Sequence, residues 1–208
     1  MKIEMVKVGF IETNCYVVTD EEMGEIFIVD PGFEANKILK QINNKYKVKY
    51  ILLTHAHYDH IGAVNAIKEK TGALVVCSKI ASKTLNDPQT NLSFKHLFTN
   101  LTKINTDILI DDGASLTFGN DKITAMYTPG HTTADCSYFY KNNIFSGDFI
   151  FKKTIGRVDF FNSNYELMLK SLKKLSLIDG DYNIYPGHDE NTTLSFELKN
   201  NPYLKQVL

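Results

Sequence analysis

The sequence predicts an α/β protein in which two β-sheets pack face to face and helices cover their outer surfaces. Three observations lead there. Strand-like runs come in two blocks, each block is followed by helical patterns, and no Gly/Ser/Pro-rich linker interrupts the 208 residues. The chain is therefore expected to form one domain over residues 1–208, with the apolar (43%) and charged (23%) fractions of an ordinary globular protein.

The first block is antiparallel in character. Residues 2–8 alternate polar and apolar, residues 15–18 and 25–30 are short strand-like runs, and Pro31-Gly32 stops the third. Ile38, Leu39 and Ile42 lie at helical spacing, so a helix is expected over 34–44; a strand over 48–53 then completes a β-α-β unit. Ala63, Val64, Ala66 and Ile67 give an apolar face to a helix over 61–70, ahead of the β-branched run 73–77. Residues 84–106 are polar and aperiodic, which predicts a long loop with a helical turn in which Leu92, Phe94, Leu97 and Phe98 pack. The second block has strands at 107–110, 114–118, 122–128, 136–140 and 143–146. Asp112-Gly113, Gly119-Asn-Asp121 and Lys141-Asn-Asn143 supply turns between them. An amphipathic helix over 167–177, a strand over 182–185 and a helix over 192–199 close the pattern.

A formal net charge of −1 and the lack of any long Lys/Arg run argue against nucleic acid or a membrane surface as partner, so a small-molecule substrate is expected; nothing in the sequence fixes an oligomeric state. Cys15, Cys77 and Cys136 are odd in number, far apart and without CxxC spacing, and read as reduced core thiols. The N-terminus lacks the apolar segment of a signal peptide or membrane span, and a cytoplasmic protein is predicted.

The chemistry concentrates behind the apolar run 50–53, in Thr54-His-Ala-His-Tyr-Asp-His-Ile61. Three imidazoles and a carboxylate at the end of a buried strand each need a polar or charged partner, and a divalent metal satisfies them together. Nitrogen and oxygen donors of this kind suit zinc first, with iron or manganese as alternatives. His131, Asp148 and His188 repeat the context, each closing a strand-like run beside a glycine, so five of the six histidines share it. His96 has no such partner and is left out of the site.

His55-x-His57-x-Asp59-His60 followed by His131, Asp148 and His188 resembles the metallo-β-lactamase fold superfamily. Thr13-Asn-Cys-Tyr16, Val29-Asp-Pro-Gly32, Thr128-Pro-Gly-His-Thr132, Ser146-Gly-Asp148 and Tyr185-Pro-Gly-His188 are similar to glyoxalase II and the short glyoxalase II-like hydrolases. The resemblance implies a four-layer αββα sandwich with a dinuclear site at the edge of the sheets. His55, His57 and His131 would hold one metal, Asp59, His60 and His188 the second, and Asp148 would bridge them. Such a pair supplies hydroxide from a shared water near neutral pH and polarises the attacked carbonyl, which makes the chain a metal-dependent hydrolase of a small thioester or ester, with S-lactoylglutathione-type compounds as the first expectation. Alternatives are a persulfide dioxygenase with one iron held by two histidines and an aspartate, and a non-catalytic metal-binding domain. β-Lactam hydrolysis and nuclease activity are disfavoured.

Three residues carry finer expectations. Asp30 would accept a hydrogen bond from a ligand imidazole and fix its tautomer. Arg157, in Ile155-Gly-Arg-Val-Asp159, resembles the basic residue with which relatives grip substrate carboxylates; a plain ion pair with Asp159 is the alternative. Asp159 stands where full-length glyoxalase II places a tyrosine, and only twenty residues follow His188, too few for the extension that completes its glutathione site. Thr54 and Thr132 flank ligands and could serve either as their hydrogen-bond partners or as strand-end caps. Phe149, Phe151, Phe160 and Phe161 would line an entrance or cover the core, and Tyr58 is expected to pack.

Overall fold

Two six-stranded sheets lie face to face in the computed structural model, which describes residues 1–95 and 101–208. The first sheet is built from β1 (Lys2–Val8), β2 (Thr13–Asp20), β3 (Glu25–Val29), β4 (Lys47–Leu52), β5 (Leu74–Ser78) and β6 (Ile108–Ile110), in sequence order. Its first three strands are antiparallel and the rest parallel. Helices α1 (Ala35–Leu39), α2 (Tyr58–Ile61), α3 (Val64–Thr71) and α4 (Ala81–Thr84) fall within the connections. The second half of the chain contributes β7 (Ser115–Phe118), β8 (Asp121–Tyr127), β9 (Cys136–Tyr140), β10 (Asn143–Gly147), a hairpin of β11 (Ile150–Phe151) and β12 (Thr154–Ile155), α5 (Tyr165–Ser176), β13 (Asn183–Pro186), β14 (Thr192–Thr193) and α6 (Leu194–Asn200). Its sheet runs β14-β13-β10-β9-β8-β7, with β10 and β13 parallel.

The period of two along each strand divides the core into three. Cys15, Val17, Ile26, Ile28, Val75 and Cys77 face Ile38, Val64, Ile67 and Ala81 of the helices on one outer surface. Their neighbours Tyr16, Val18, Phe27, Val29 and Val76 point the other way and meet Phe118, Ile123, Cys136, Tyr138, Tyr140 and Phe145 of the second sheet. Behind that sheet, Ile144 and Ile184 pack on Met168, Leu172 and Leu175 of α5 and Leu194 of α6. Helix, sheet, sheet and helix are thus the four layers expected. Strands covered on both faces read as continuous apolar runs, which is why residues 48–53 and 73–77 stand out in the sequence.

The elements depart from the sequence pattern in several places. The helix expected to 44 stops at Leu39, and residues beyond continue in i→i+3 turns such as Gln41 N–H to Ile38 O. The helix expected over 61–70 is two pieces, because Ala63 N–H bonds to Pro31 O instead of to its own preceding turn. Gly62 lies between them, where a Cβ would collide with the Gly32 carbonyl and the Phe33 ring. Thr192 and Thr193 pair with β13, after which Thr193 caps α6 by accepting from Phe196 N–H. The hairpin β11–β12 was not foreseen: its two-residue strands are too short to show alternation, and Asn201 and Glu197 of α6 anchor it. In the 84–106 stretch, Leu92 is buried, Phe94 is exposed and Ser93–Lys95 form a 3₁₀ turn, while His96, Leu97 and Phe98 lie outside the described residues. The three cysteines are free and buried. Among the described residues no helix is long and apolar enough to cross a membrane.

Phe27 joins the two sheets. It is fully buried and meets Phe118, Tyr140 and Phe145 edge to face at 4.8–5.6 Å. Phe27→Ala should therefore lower unfolding free energy by about 3–5 kcal/mol, read as a shift of the urea midpoint.

Candidate metal centre

The site forms where strands of both sheets end. β4 runs directly into Thr54–His57, the loop after β8 carries His131, β10 delivers Asp148 and β13 delivers His188. His55, His57, Asp59, His60 and His131 are each at most 5% exposed, whereas the side chains of Asp148 and His188 are 11% and 22% exposed. Three groups of potential ligand atoms, each within 4.8 Å, are found among the described residues: His55, His57 and His131; Asp59, His60 and His188; and Asp30 with His55 and His60, which lies behind the other two. Asp148 lies between the first two. Its Oδ2 is 3.4 Å from His131 Nε2 and 3.7 Å from His188 Nε2, and its Oδ1 is 3.5 Å from His60 Nε2.

Each ring is turned by the hydrogen bond that its other nitrogen makes. His131 Nδ1 donates to Arg157 O at 2.9 Å, and His188 Nδ1 to Ile11 O at 3.2 Å. His60 Nδ1 donates to Asp30 Oδ2 at 2.9 Å. His55 Nδ1 lies 3.0 Å from Thr54 Oγ1, whose own proton goes to Asp30 Oδ2 at 2.6 Å, so the ring must be the donor. With Nδ1 protonated, all four present Nε2 lone pairs to the centre. His57 instead directs Nδ1 toward His131 Nε2, 2.9 Å away.

Left to themselves these atoms are badly served. Nε2 of His55, His57 and His60 and Oδ1 of Asp148 are buried without a hydrogen-bond partner, a costly arrangement unless something sits among them. A cation fits that description. Burial, together with the charges of neighbouring imidazoles, holds His55 and His57 well below the usual histidine range, in the neutral form a metal requires. Burial also works against a charged His60, but the carboxylates of Asp59, Asp148 and Asp30 outweigh it and raise its pKa well above the usual value. Those carboxylates draw positive charge into the centre. Room is kept at Gly187, where a Cβ would collide with Asp148 Oδ1 and the His60 ring.

The surrounding motifs act as braces. Asp30, at a left-handed φ of 48°, accepts from Thr54 N–H, Thr54 Oγ1 and His60 Nδ1, linking the end of β3 to both histidine positions. Thr132 bonds to buried Asp135, whose carboxyl burial pushes up to about 6, and so shapes the loop without touching another predicted ligand. Sequence reasoning assigned no role to Thr13, Asn14 or Tyr16. Thr13 Oγ1 donates to Asp59 Oδ2 at 2.9 Å, while Asn14 and Tyr16 side chains hold Pro186 O, and Asn14 N–H bonds to Gly187 O. The first motif therefore clamps the last, a contact that spans some 170 residues and leaves no local signal.

A cavity of about 570 Å³ opens onto His57, Asp59, His131, Asp148 and His188. Tyr58, Phe151 and Phe160 line it, Phe149 lies in the core, and Phe161 is 86% exposed. Arg157 stands at the mouth and forms the bidentate pair with Asp159.

Residues 8–188 match the family model described as the metallo-beta-lactamase superfamily. The chain is 34% identical to YqgX of Bacillus subtilis, described as a probable metallo-hydrolase, and 30% identical to the hydroxyacylglutathione hydrolase GloC of Haemophilus influenzae. Each alignment covers 98% of both sequences. Among solved structures it is similar to the BLEG-1 B3 metallo-beta-lactamase (33% identity, TM-score 0.88, covering 98% of this chain and 99% of that one). It is also similar to TTHA1623 in a di-iron-bound form (27%, TM-score 0.84, 96% and 99%).

Asp30→Asn keeps the size and an acceptor for Thr54 N–H, but puts an amide donor against Thr54 Oγ1 or His60 Nδ1. Metal affinity should fall about 10- to 100-fold, measured by competition with a chromogenic chelator.

Proposed function

Since the chain belongs to the metallo-beta-lactamase superfamily, whose curated relatives include named metal-dependent hydrolases, we propose that it hydrolyses a small thioester at a two-metal centre. The observation that carries this reading is the pairing of two three-donor groups with one carboxylate between them, open to a cavity. His55, His57 and His131 would hold one ion, Asp59, His60 and His188 the other, and Asp148, whose Oδ2 lies near both His131 and His188, would serve both. Zinc and iron both suit this donor set, and the di-iron form of TTHA1623 keeps iron in view. The ions would supply hydroxide from water near neutral pH and polarise the substrate carbonyl.

The chain's own residues narrow the reaction. Among the described residues no serine or cysteine lines the cavity, and the three cysteine thiols are fully buried in the core, so a covalent thiol or serine route finds no nucleophile in the described lining. A phenolic acid is also poorly placed: burial and the Asp59 carboxylate push Tyr58 up to about 12. Apart from the residues that would hold the ions, the described lining has no histidine or carboxyl but Asp189 to give a proton, so a leaving group that departs as an anion is favoured. A thiolate does so readily, its conjugate acid having a pKa of about 8.5, whereas an amine or alkoxide needs a proton. Thr13 fixes Asp59 from behind, and Ile11, Leu92, Phe151, Ile155 and Phe160 keep bulk water from the reacting carbonyl. The kinship to GloC supports a hydroxyacyl thioester among the substrates.

Protein reconstituted with zinc or iron should bind close to two ions per chain by elemental analysis and turn over a thioester panel, with a cephalosporin as the contrasting arm. Asp148→Ala should lower both metal occupancy and kcat, the latter by at least about a hundredfold. Full thioesterase activity in that variant, or preference for the cephalosporin, would overturn the reading.

A further inference from the structure

Apart from the cluster, the charged residues lining the cavity are Arg157 and Asp189, so Arg157 is the one cation of the described lining. Its guanidinium is already engaged on two sides. Nε donates to Asp159 Oδ1 at 2.9 Å and Nη2 to Oδ2 at 2.8 Å, while the guanidinium carbon lies 4.4 Å from the centre of the Phe160 ring. That ring packs edge-on against His57 and His131, at 5.4 and 5.6 Å, so the stack is built on the ligand set itself. The fork that Arg157 offers Asp159 is the one that a substrate carboxylate would use. Lys152, on the neighbouring hairpin, is paired with Glu190 at 2.8 Å. The remaining walls are the apolar Ile11, Leu92, Phe151 and Ile155, with Tyr58 and the Thr154 hydroxyl as their polar members.

From this arrangement we infer that Asp159 is a specificity-determining residue: it occupies Arg157 in place of a substrate carboxylate. The site therefore takes thioesters with an apolar acyl group and an uncharged thiol in preference to thioesters of glutathione. This rests on the thioester-hydrolase reading above. A glutathione conjugate brings two carboxylates and one ammonium to a mouth where, among the described residues and apart from the histidine cluster, Arg157 is the one lining cation, and it must displace Asp159 to gain the guanidinium. The Arg157 and Asp159 side chains are 67% and 64% exposed, so the displacement is a modest barrier, worth about fivefold in affinity rather than an absolute block.

The test compares S-butanoyl-N-acetylcysteamine with S-butanoylglutathione on metal-loaded wild type, Asp159→Asn and Asp159→Ala, with calorimetric Kd values for the inert thioether S-methylglutathione. Wild type should show the higher kcat/KM for the uncharged thioester. Both variants should raise the glutathione-to-cysteamine ratio of kcat/KM by about fivefold and tighten S-methylglutathione by a similar factor. A wild-type preference for the glutathione thioester of tenfold or more, or variants that leave both the ratio and the Kd unchanged, would overturn the assignment. Failure of metal-loaded protein to hydrolyse either compound would instead remove the thioester reading, while the Kd comparison would still decide whether Asp159 screens Arg157.

Discussion

Five imidazoles and two carboxylates can be held in one nearly dry place only if each ring is rotated so that an N–H meets an acceptor, which for four of them lies outside the cluster and for His57 is the Nε2 of His131. Two N–H groups pointing at one another, or lone pairs with nothing between them, would each cost the full penalty of a buried unpaired polar group. The rest of the structure follows from that constraint. Asp30, the Thr54 hydroxyl and the main-chain carbonyls of Ile11 and Arg157 take the outward protons, leaving Nε2 of His55, His60, His131 and His188 turned inward. A cation then repays at the centre what the folding of the apo cluster leaves unsatisfied.

The sandwich makes this possible because it is rigid where the ligands begin. β4 and β5 are covered on both faces, and the aromatic contacts of Phe27, Phe118, Tyr140 and Phe145 fix one sheet against the other. Loops that leave those strands start from well-defined positions. The Thr13–Tyr16 segment extends the same logic across the molecule: Asn14 and Tyr16 hold the Pro186 carbonyl, and with it the turn that presents His188. The more exposed members of the set, Asp148 and His188, face the cavity, whereas His55 and His60 form its hidden floor. Support behind and access in front is the arrangement that an open, reactive centre requires.

Much of this was legible in the residues. The apolar run 48–53 ahead of His55, the three glycine-flanked positions at 131, 148 and 188, and the strand-like run 15–18 are local patterns. Local patterns survive in a sequence. The break at Gly62 and the β11–β12 hairpin were not legible, since each is decided by a hydrogen bond to a distant segment: Pro31 O for Ala63, Asn201 and Glu197 for the hairpin. Arg157 lay between the two cases. Its partner Asp159 is two residues away, but only the fold stacks it on Phe160 beside the ligand rings.

By itself the sequence determined the chemical type and spacing of the donors and the two-block β pattern. These depend on side-chain identity. The tertiary structure alone decided which nitrogen of each ring faces inward, that Asp148 lies between the two groups, and that Arg157, the one cation of the described lining outside the histidine cluster, is already engaged. The physical reason is that two of the deciding acceptors are main-chain carbonyls, at Ile11 and Arg157. Every residue has such a carbonyl, so its place in space, which no side chain announces, sets the chemistry of the ring that finds it.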